Sequence, residues 1–122
     1  MRVLIADDES EVRAALRILL KHQFETEVVG EAATLPELVE QMEAQQPDRL
    51  ILDWGVIAPT PGVVTRWRAK YPQLAVIVIS GRTDVRQAAL DAGAAAFVSK
   101  SDPPERLLAA LRGQRDLPFG SP

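Results

Sequence analysis

The chain has 122 residues, a formal net charge of -3 from 17 acidic and 14 basic residues, one histidine and no cysteine. That length fits one domain with a core of ordinary size and leaves no room for a second. Interspersed charges give no footprint for direct nucleic-acid binding, the lack of cysteine excludes disulfides and thiolate metal sites, and no apolar run approaches the ~20 residues that span a membrane.

The start, MRVLIADD, lacks the features of a signal peptide, so the expected location is cytoplasmic. Its apolar run 3–6 reads as a strand that stops at Asp7, Asp8 and Glu9. Ser10 is placed to cap a helix whose apolar positions Val12, Ala15, Leu16, Leu19 and Leu20 recur at helical spacing up to Lys21 and His22. A lone histidine in a last turn has a dipole-based reason to be there, so His22 is read as structural or solvated. Residues 27–32 predict a weaker strand. Thr34-Leu-Pro-Glu37 is a capping box for a second helix, with Leu35, Leu38, Val39 and Met42 inward and Gln46-Pro47 ending it.

Leu50, Ile51 and Leu52 form a short buried strand ending in a single carboxylate, Asp53. Gly55 follows, and Pro59 and Pro61 are expected to exclude regular structure before a short helix to Lys70 with Val63, Val64 and Trp67 inward. The β-branched run 75–79 is the most strand-like segment and ends at Ser80-Gly81. An Ala-rich helix over 84–92 stops at Gly93, and a last strand over 95–98 leads to Ser99-Lys100. Asp102-Pro-Pro-Glu105 then opens a fifth helix as another capping box, with Leu107, Leu108 and Leu111 inward before Gly113. Five strands alternating with five helices predict an α/β, doubly wound (βα)5 domain with a parallel sheet. It fills residues 1–113, and 114–122 are a C-terminal tail or truncated linker.

Right-handed crossovers bring the carboxyl ends of parallel strands to one edge, where α/β sheets bind ligands. Asp7 and Asp8 stand after the first strand, Asp53 after the third, Ser80 after the fourth and Lys100 after the fifth. Each alone has a plain reading, as turn cap, turn residue or solvated charge. Clustered carboxylates repel by about 1 kcal/mol per pair at 4 Å in water and about 4 at an effective dielectric of 20, so a cation must offset them. Oxygen-only ligands select a hard divalent ion, Mg2+ (or Mn2+), which keeps waters and leaves positions for phosphoryl oxygens. Lys100 and Ser80 could neutralise the oxygens of a phosphoryl group on Asp53, and a carboxylate is a phosphoryl nucleophile.

Together these residues resemble the receiver domains of two-component response regulators. The marks are Asp7-Asp8, Asp53, Ser80 with small Gly81, and Phe97 three residues before Lys100, and the likeness runs from Val3 to about Leu111. FVSKSDPPERLLAAL is similar to receivers that precede helix-turn-helix output domains. The resemblance implies a flavodoxin-like sheet of order 2-1-3-4-5 and a sensor histidine kinase that phosphorylates Asp53. It implies Mg2+ held by Asp8, Asp53 and the Gly55 backbone carbonyl, with Asp7 acting through water. Ser80 would move towards the phosphoryl group and Phe97 turn inward behind it. Gly55 and Arg82 would flank the path of hydrolytic water and set the phosphoryl lifetime, Arg82 by folding over the oxygens. The surface of the fourth helix, fifth strand and fifth helix, with Arg86 exposed and the stripe Leu107 to Leu111, would then face a second copy in a homodimer or an output domain missing from this chain.

Two features depart from the family pattern. Ile57 stands where many receivers have proline, and Gly62 comes one residue late, so the loop near the metal ligands is altered. Lys100 precedes Ser101 instead of proline, which predicts a trans bond because a cis non-proline bond costs roughly 3 kcal/mol. A phosphohydrolase would want a second carboxylate where Gly55 stands, and a nucleotide-binding domain a Gly-rich loop after the first strand. The alternative that remains is a pseudo-receiver working without phosphorylation, against which the costly carboxylate cluster argues.

Overall fold

Side chains alternate along the apolar strands with period two, and this divides the core in two. The computed structural model describes residues 1–113, so the tail expected at 114–122 lies outside the described residues. In it β1 (Arg2–Ala6), β2 (Glu27–Ala32), β3 (Arg49–Asp53), β4 (Ala75–Ser80) and β5 (Ala96–Ser99) pair in parallel in the order β2-β1-β3-β4-β5. Leu4, Ala6, Leu50, Leu52, Val76, Val78 and Phe97 face α2 (Leu35–Gln45), α3 (Trp54–Ile57), α4 (Gly62–Lys70) and α5 (Arg86–Ala92). Val3, Ile5, Ile51, Ile77, Ile79 and Val98 face α1 (Ser10–Lys21) and α6 (Pro104–Leu111). The doubly wound α/β fold and its strand order are those expected.

The capping box of α2 forms: Thr34 Oγ1 accepts the Glu37 N–H at 3.3 Å, and Glu37 Oε1 accepts the Ala33 N–H at 2.8 Å. Two other expected caps do not. Ser10 is already the first residue of α1, and the Glu9 N–H is taken instead by Asp7 Oδ1 at 2.9 Å. Asp102 lies too early to cap α6, which begins at Pro104, where a missing N–H costs nothing. The segment after Asp53 is also more regular than its prolines suggest. Residues Trp54–Ile57 make one helical turn that buries Ile57, and irregular chain is confined to 58–61. A 3-10 turn, Thr83–Val85, delays the start of α5 to Arg86. Val39 and Ala15 are exposed, each beside the stripe it was assigned to.

At the amino-terminal edge of the sheet, arginines hold helix ends. Arg2 donates to the carbonyls of Gln45 and Gln46, and Arg49 Nε donates to the Leu111 carbonyl at 2.9 Å. These carbonyls have no partner within their own helices and carry the negative end of the dipole. β3 thus bears Asp53 at one end and, at the other, an arginine that grips the last turn of α6.

Candidate functional site

β1 and β3 are hydrogen-bonded neighbours with Ala6 opposite Leu52, so Asp7 and Asp53 leave the sheet side by side. Asp7 is fully buried, Asp53 is 8% exposed, and Asp8 is open to solvent. One carboxylate oxygen from each of the three lies within 4.8 Å of the others. β5 delivers the counter-charge. Lys100 Nζ is 2.9 Å from Asp7 Oδ2, 3.4 Å from Asp53 Oδ1 and 4.0 Å from Glu9 Oε1. The Lys100 N–H donates to the Ser80 carbonyl at 2.8 Å, which carries the β4–β5 ladder one step past the strand end.

The electrostatics follow from this packing. Burial pushes the Asp53 carboxyl above the usual carboxylate range, the Asp7 charge adds to the rise, and Lys100 pulls against both. Burial also works against the Lys100 charge, but the Asp7 and Asp53 carboxylates outweigh it and hold the ammonium above its usual range. Asp7 Oδ2 has Lys100 as an ion-pair neighbour yet no aligned hydrogen bond. A buried carboxylate oxygen with unused capacity, within reach of two further carboxylates, fits a hard divalent cation bound through oxygen.

Of the remaining expected residues, Ser80 and Gly55 stand at the same edge of the sheet. Ser80 is buried, and its Oγ accepts the Arg82 N–H at 3.0 Å, which leaves its own proton free to donate elsewhere. Gly55 is exposed, and a Cβ added there would lie 3.4 Å from Asp53 Oδ2, so position 55 borders the carboxylate directly. Three expectations need correction. Arg82 does not fold over the site: its side chain is 73% exposed and forks onto Asp84, with Nε 3.1 Å and Nη2 2.5 Å from the two carboxylate oxygens. Phe97 is already buried, with the Arg86 guanidinium 6.0 Å from its ring centroid, and Arg86 itself is half-buried. Leu107 and Leu111 are core residues against the sheet and present no outer face. The Lys100–Ser101 bond is trans, in line with its sequence.

Two residues at the site escaped the sequence. Arg13 reaches back from α1 to donate to the Asp7 carbonyl at 2.7 Å and to Glu31 Oε1 at 3.0 Å, tying β1 to β2. Its only sequence sign is a place one turn after Glu9. Asp102, read as a cap, instead binds the turn that carries Lys100.

The pattern of the response regulator receiver domain matches residues 3–112 of the chain. The chain belongs to this family. Receivers generally bind Mg2+ at an acidic pocket, and Asp7, Asp8 and Asp53 make an acidic cluster in this chain. The receiver is 35% identical over 112 residues to the uncharacterized transcriptional regulatory protein YhcZ of Bacillus subtilis, covering 88% of this chain and 52% of that one. It is 34% identical over 120 residues to the transcriptional activator protein ExaE of Pseudomonas putida, covering 92% and 54%. It therefore spans about half the length of these relatives. Among solved structures it resembles the isolated receiver domain of RcsB from Salmonella enterica, with TM-score 0.81, 25% identity and coverage of 98% of this chain and 94% of that one.

Proposed function

We propose that this receiver is a phosphorylation-activated switch that accepts a phosphoryl group on Asp53 from a sensor histidine kinase. The observation that supports it is the near-buried Asp53 carboxylate, 3.4 Å from the Lys100 ammonium and grouped with Asp7 and Asp8. In the transfer a carboxylate oxygen of Asp53 bonds to phosphorus and the P–N bond of the donor phosphohistidine breaks. The electron pair returns to the imidazole nitrogen, which takes up a proton. Charge in the loose transition state spreads over three phosphoryl oxygens. Lys100 offers a fixed cation to one oxygen and Ser80 a hydroxyl proton to another. Asp8, Asp53 and the Gly55 carbonyl, with Asp7 acting through water, would hold Mg2+ (or Mn2+), which would supply further neutralising charge.

When Ser80 turns to the phosphoryl group it gives up the Arg82 N–H, so the loop into α5 is released at its root. Phe97 and the Arg86 that covers it are the neighbouring switch elements. The changed surface of α5, β5 and α6 then acts on an output domain beyond this chain or on a second copy, and any homodimer contact uses residues other than Leu107 and Leu111. The transcriptional roles in the names of YhcZ and ExaE support an output in transcription. Gly55 and Arg82 set the lifetime of the phosphoryl group. We place this activity in the cytoplasm; no helix among the described residues is long and apolar enough to cross a membrane.

Intact-mass analysis after incubation with acetyl phosphate tests the reading. One phosphoryl group per chain is expected with Mg2+, and none in chelator or in Asp53→Asn. Full labelling of Asp53→Asn overturns the assignment, and an unlabelled wild type means a pseudo-receiver that works by interaction alone.

A further inference from the structure

Lys100 occupies the second position of a tight turn from Ser99 to Asp102, closed by the Asp102 N–H donating to the Ser99 carbonyl at 3.0 Å. The same two residues are joined again in the opposite sense, because Asp102 Oδ2 accepts the Ser99 N–H at 2.9 Å. Inside the turn, the buried Ser99 offers its Oγ to the Ser101 N–H at 3.2 Å and lies 2.9 Å from Ser101 Oγ. Pro103 and Pro104 come next and have no N–H of their own with which to stiffen the turn from that side.

We propose that Asp102 is a positioning residue for Lys100, setting by its grip on the Ser99 N–H the turn that aims the ammonium between Asp7 and Asp53. This rests on Asp53 as phosphoryl acceptor. A lysine head rides on a flexible four-carbon stem, so its placement within 3.4 Å of two carboxylates depends on where its backbone is held. Asp102 makes no contact with the carboxylate cluster; its role passes through the turn. The side-chain oxygen is what matters, so asparagine, which keeps that acceptor, serves as well as aspartate, and alanine does not.

The experiment compares wild type, Asp102→Asn and Asp102→Ala by phosphoryl uptake from acetyl phosphate and by acetylation of the unphosphorylated chain with a sulfosuccinimidyl acetate reagent, read lysine by lysine. Lys21 and Lys70, both exposed, are the internal standards. Uptake by Asp102→Ala is expected to fall by about tenfold, the upper scale of one ordinary hydrogen bond, and Asp102→Asn to stay within about threefold of wild type. Lys100 in Asp102→Ala should acetylate several-fold faster than in wild type relative to Lys21 and Lys70. Equal Lys100 reactivity in all three proteins overturns the positioning role, as does equal loss in the asparagine and alanine variants. If the wild type takes up no phosphoryl group, the acceptor assignment fails, and the lysine reactivities alone still decide whether Asp102 places Lys100.

Discussion

Lys100 lies closer to Asp7 than to Asp53: its ammonium is 2.9 Å from Asp7 Oδ2 and 3.4 Å from Asp53 Oδ1. Asp7 is therefore the resting partner of the lysine, and Asp53 shares a charge already engaged. Replacing Lys100 by alanine leaves two buried carboxylates facing each other without their cation. We expect a loss of about 2 kcal/mol in chelator, because removing one member of a buried pair strands the other. Urea unfolding measures this, and an unchanged midpoint would show the pair to be energetically idle. Phosphoryl uptake should fall at least about tenfold, as for other lost electrostatic contacts to a transition state.

Asp53→Asn should act in the opposite direction on stability. The folded state raises the Asp53 carboxyl above its ordinary value of 3.8, so the unfolded chain releases that proton more readily. Ionisation therefore costs the native state nothing below the unfolded value, and the full penalty applies above the folded one. In chelator the asparagine variant should match wild type near pH 3 and exceed it by about 1 kcal/mol at pH 7. Thermal melts of both proteins across that range are the check, and a gap independent of pH would assign the effect elsewhere.

Binding of Mg2+ should relieve the same repulsion. At a hundred times its dissociation constant the ion is expected to add about 2.7 kcal/mol to wild type. Asp8→Asn should lose most of that gain. Trp54, half-buried next to Asp53, provides a fluorescence signal, while Trp67 lies buried in α4. A titration that leaves the emission and the melting temperature unchanged would remove Mg2+ from this site.

The proposed role of Arg82 in phosphoryl lifetime can be tested through its fork with Asp84. Asp84 lies below its usual carboxyl range through the Arg82 hydrogen bond, and the pair holds the guanidinium off the site. Exposed pairs of this kind are weak, so a phosphoryl group can compete for the arginine. Asp84→Ala should slow decay of labelled protein about threefold by freeing Arg82, and the double variant with Arg82→Ala should return to the rate of Arg82→Ala alone. Decay that is equal in Asp84→Ala and wild type would leave Arg82 in solvent throughout.

Much of this was legible in the residues. The runs 3–6, 50–52 and 75–79 announce strands because a short unbroken apolar run is a local property, and the acids after the first two mark the edge where ligands bind. Caps were less legible: Ser10 and Asp102 have the right side chains, but Asp7 takes the Glu9 N–H, and Asp102 turns back to Ser99. Such choices depend on partners that only folding brings near. For the same reason the helical turn after Asp53 was hidden behind Pro59 and Pro61, since burial of Ile57 outweighs the local signal. Arg13, and the orientation of Arg82, rest on contacts with no periodic signature at all.

Arg49 and Asp53 are the two ends of one five-residue strand, so the grip on the Leu111 carbonyl lies ~13 Å from Asp53 along β3. Close-packed interiors have low compressibility and transmit strain, and β3 is enclosed between two neighbouring strands. The Asp53 end of the sheet and the last turn of α6 are thus joined through a single strand, with Arg49 as the link. An Arg49→Ala variant would cut that link without touching the carboxylate cluster.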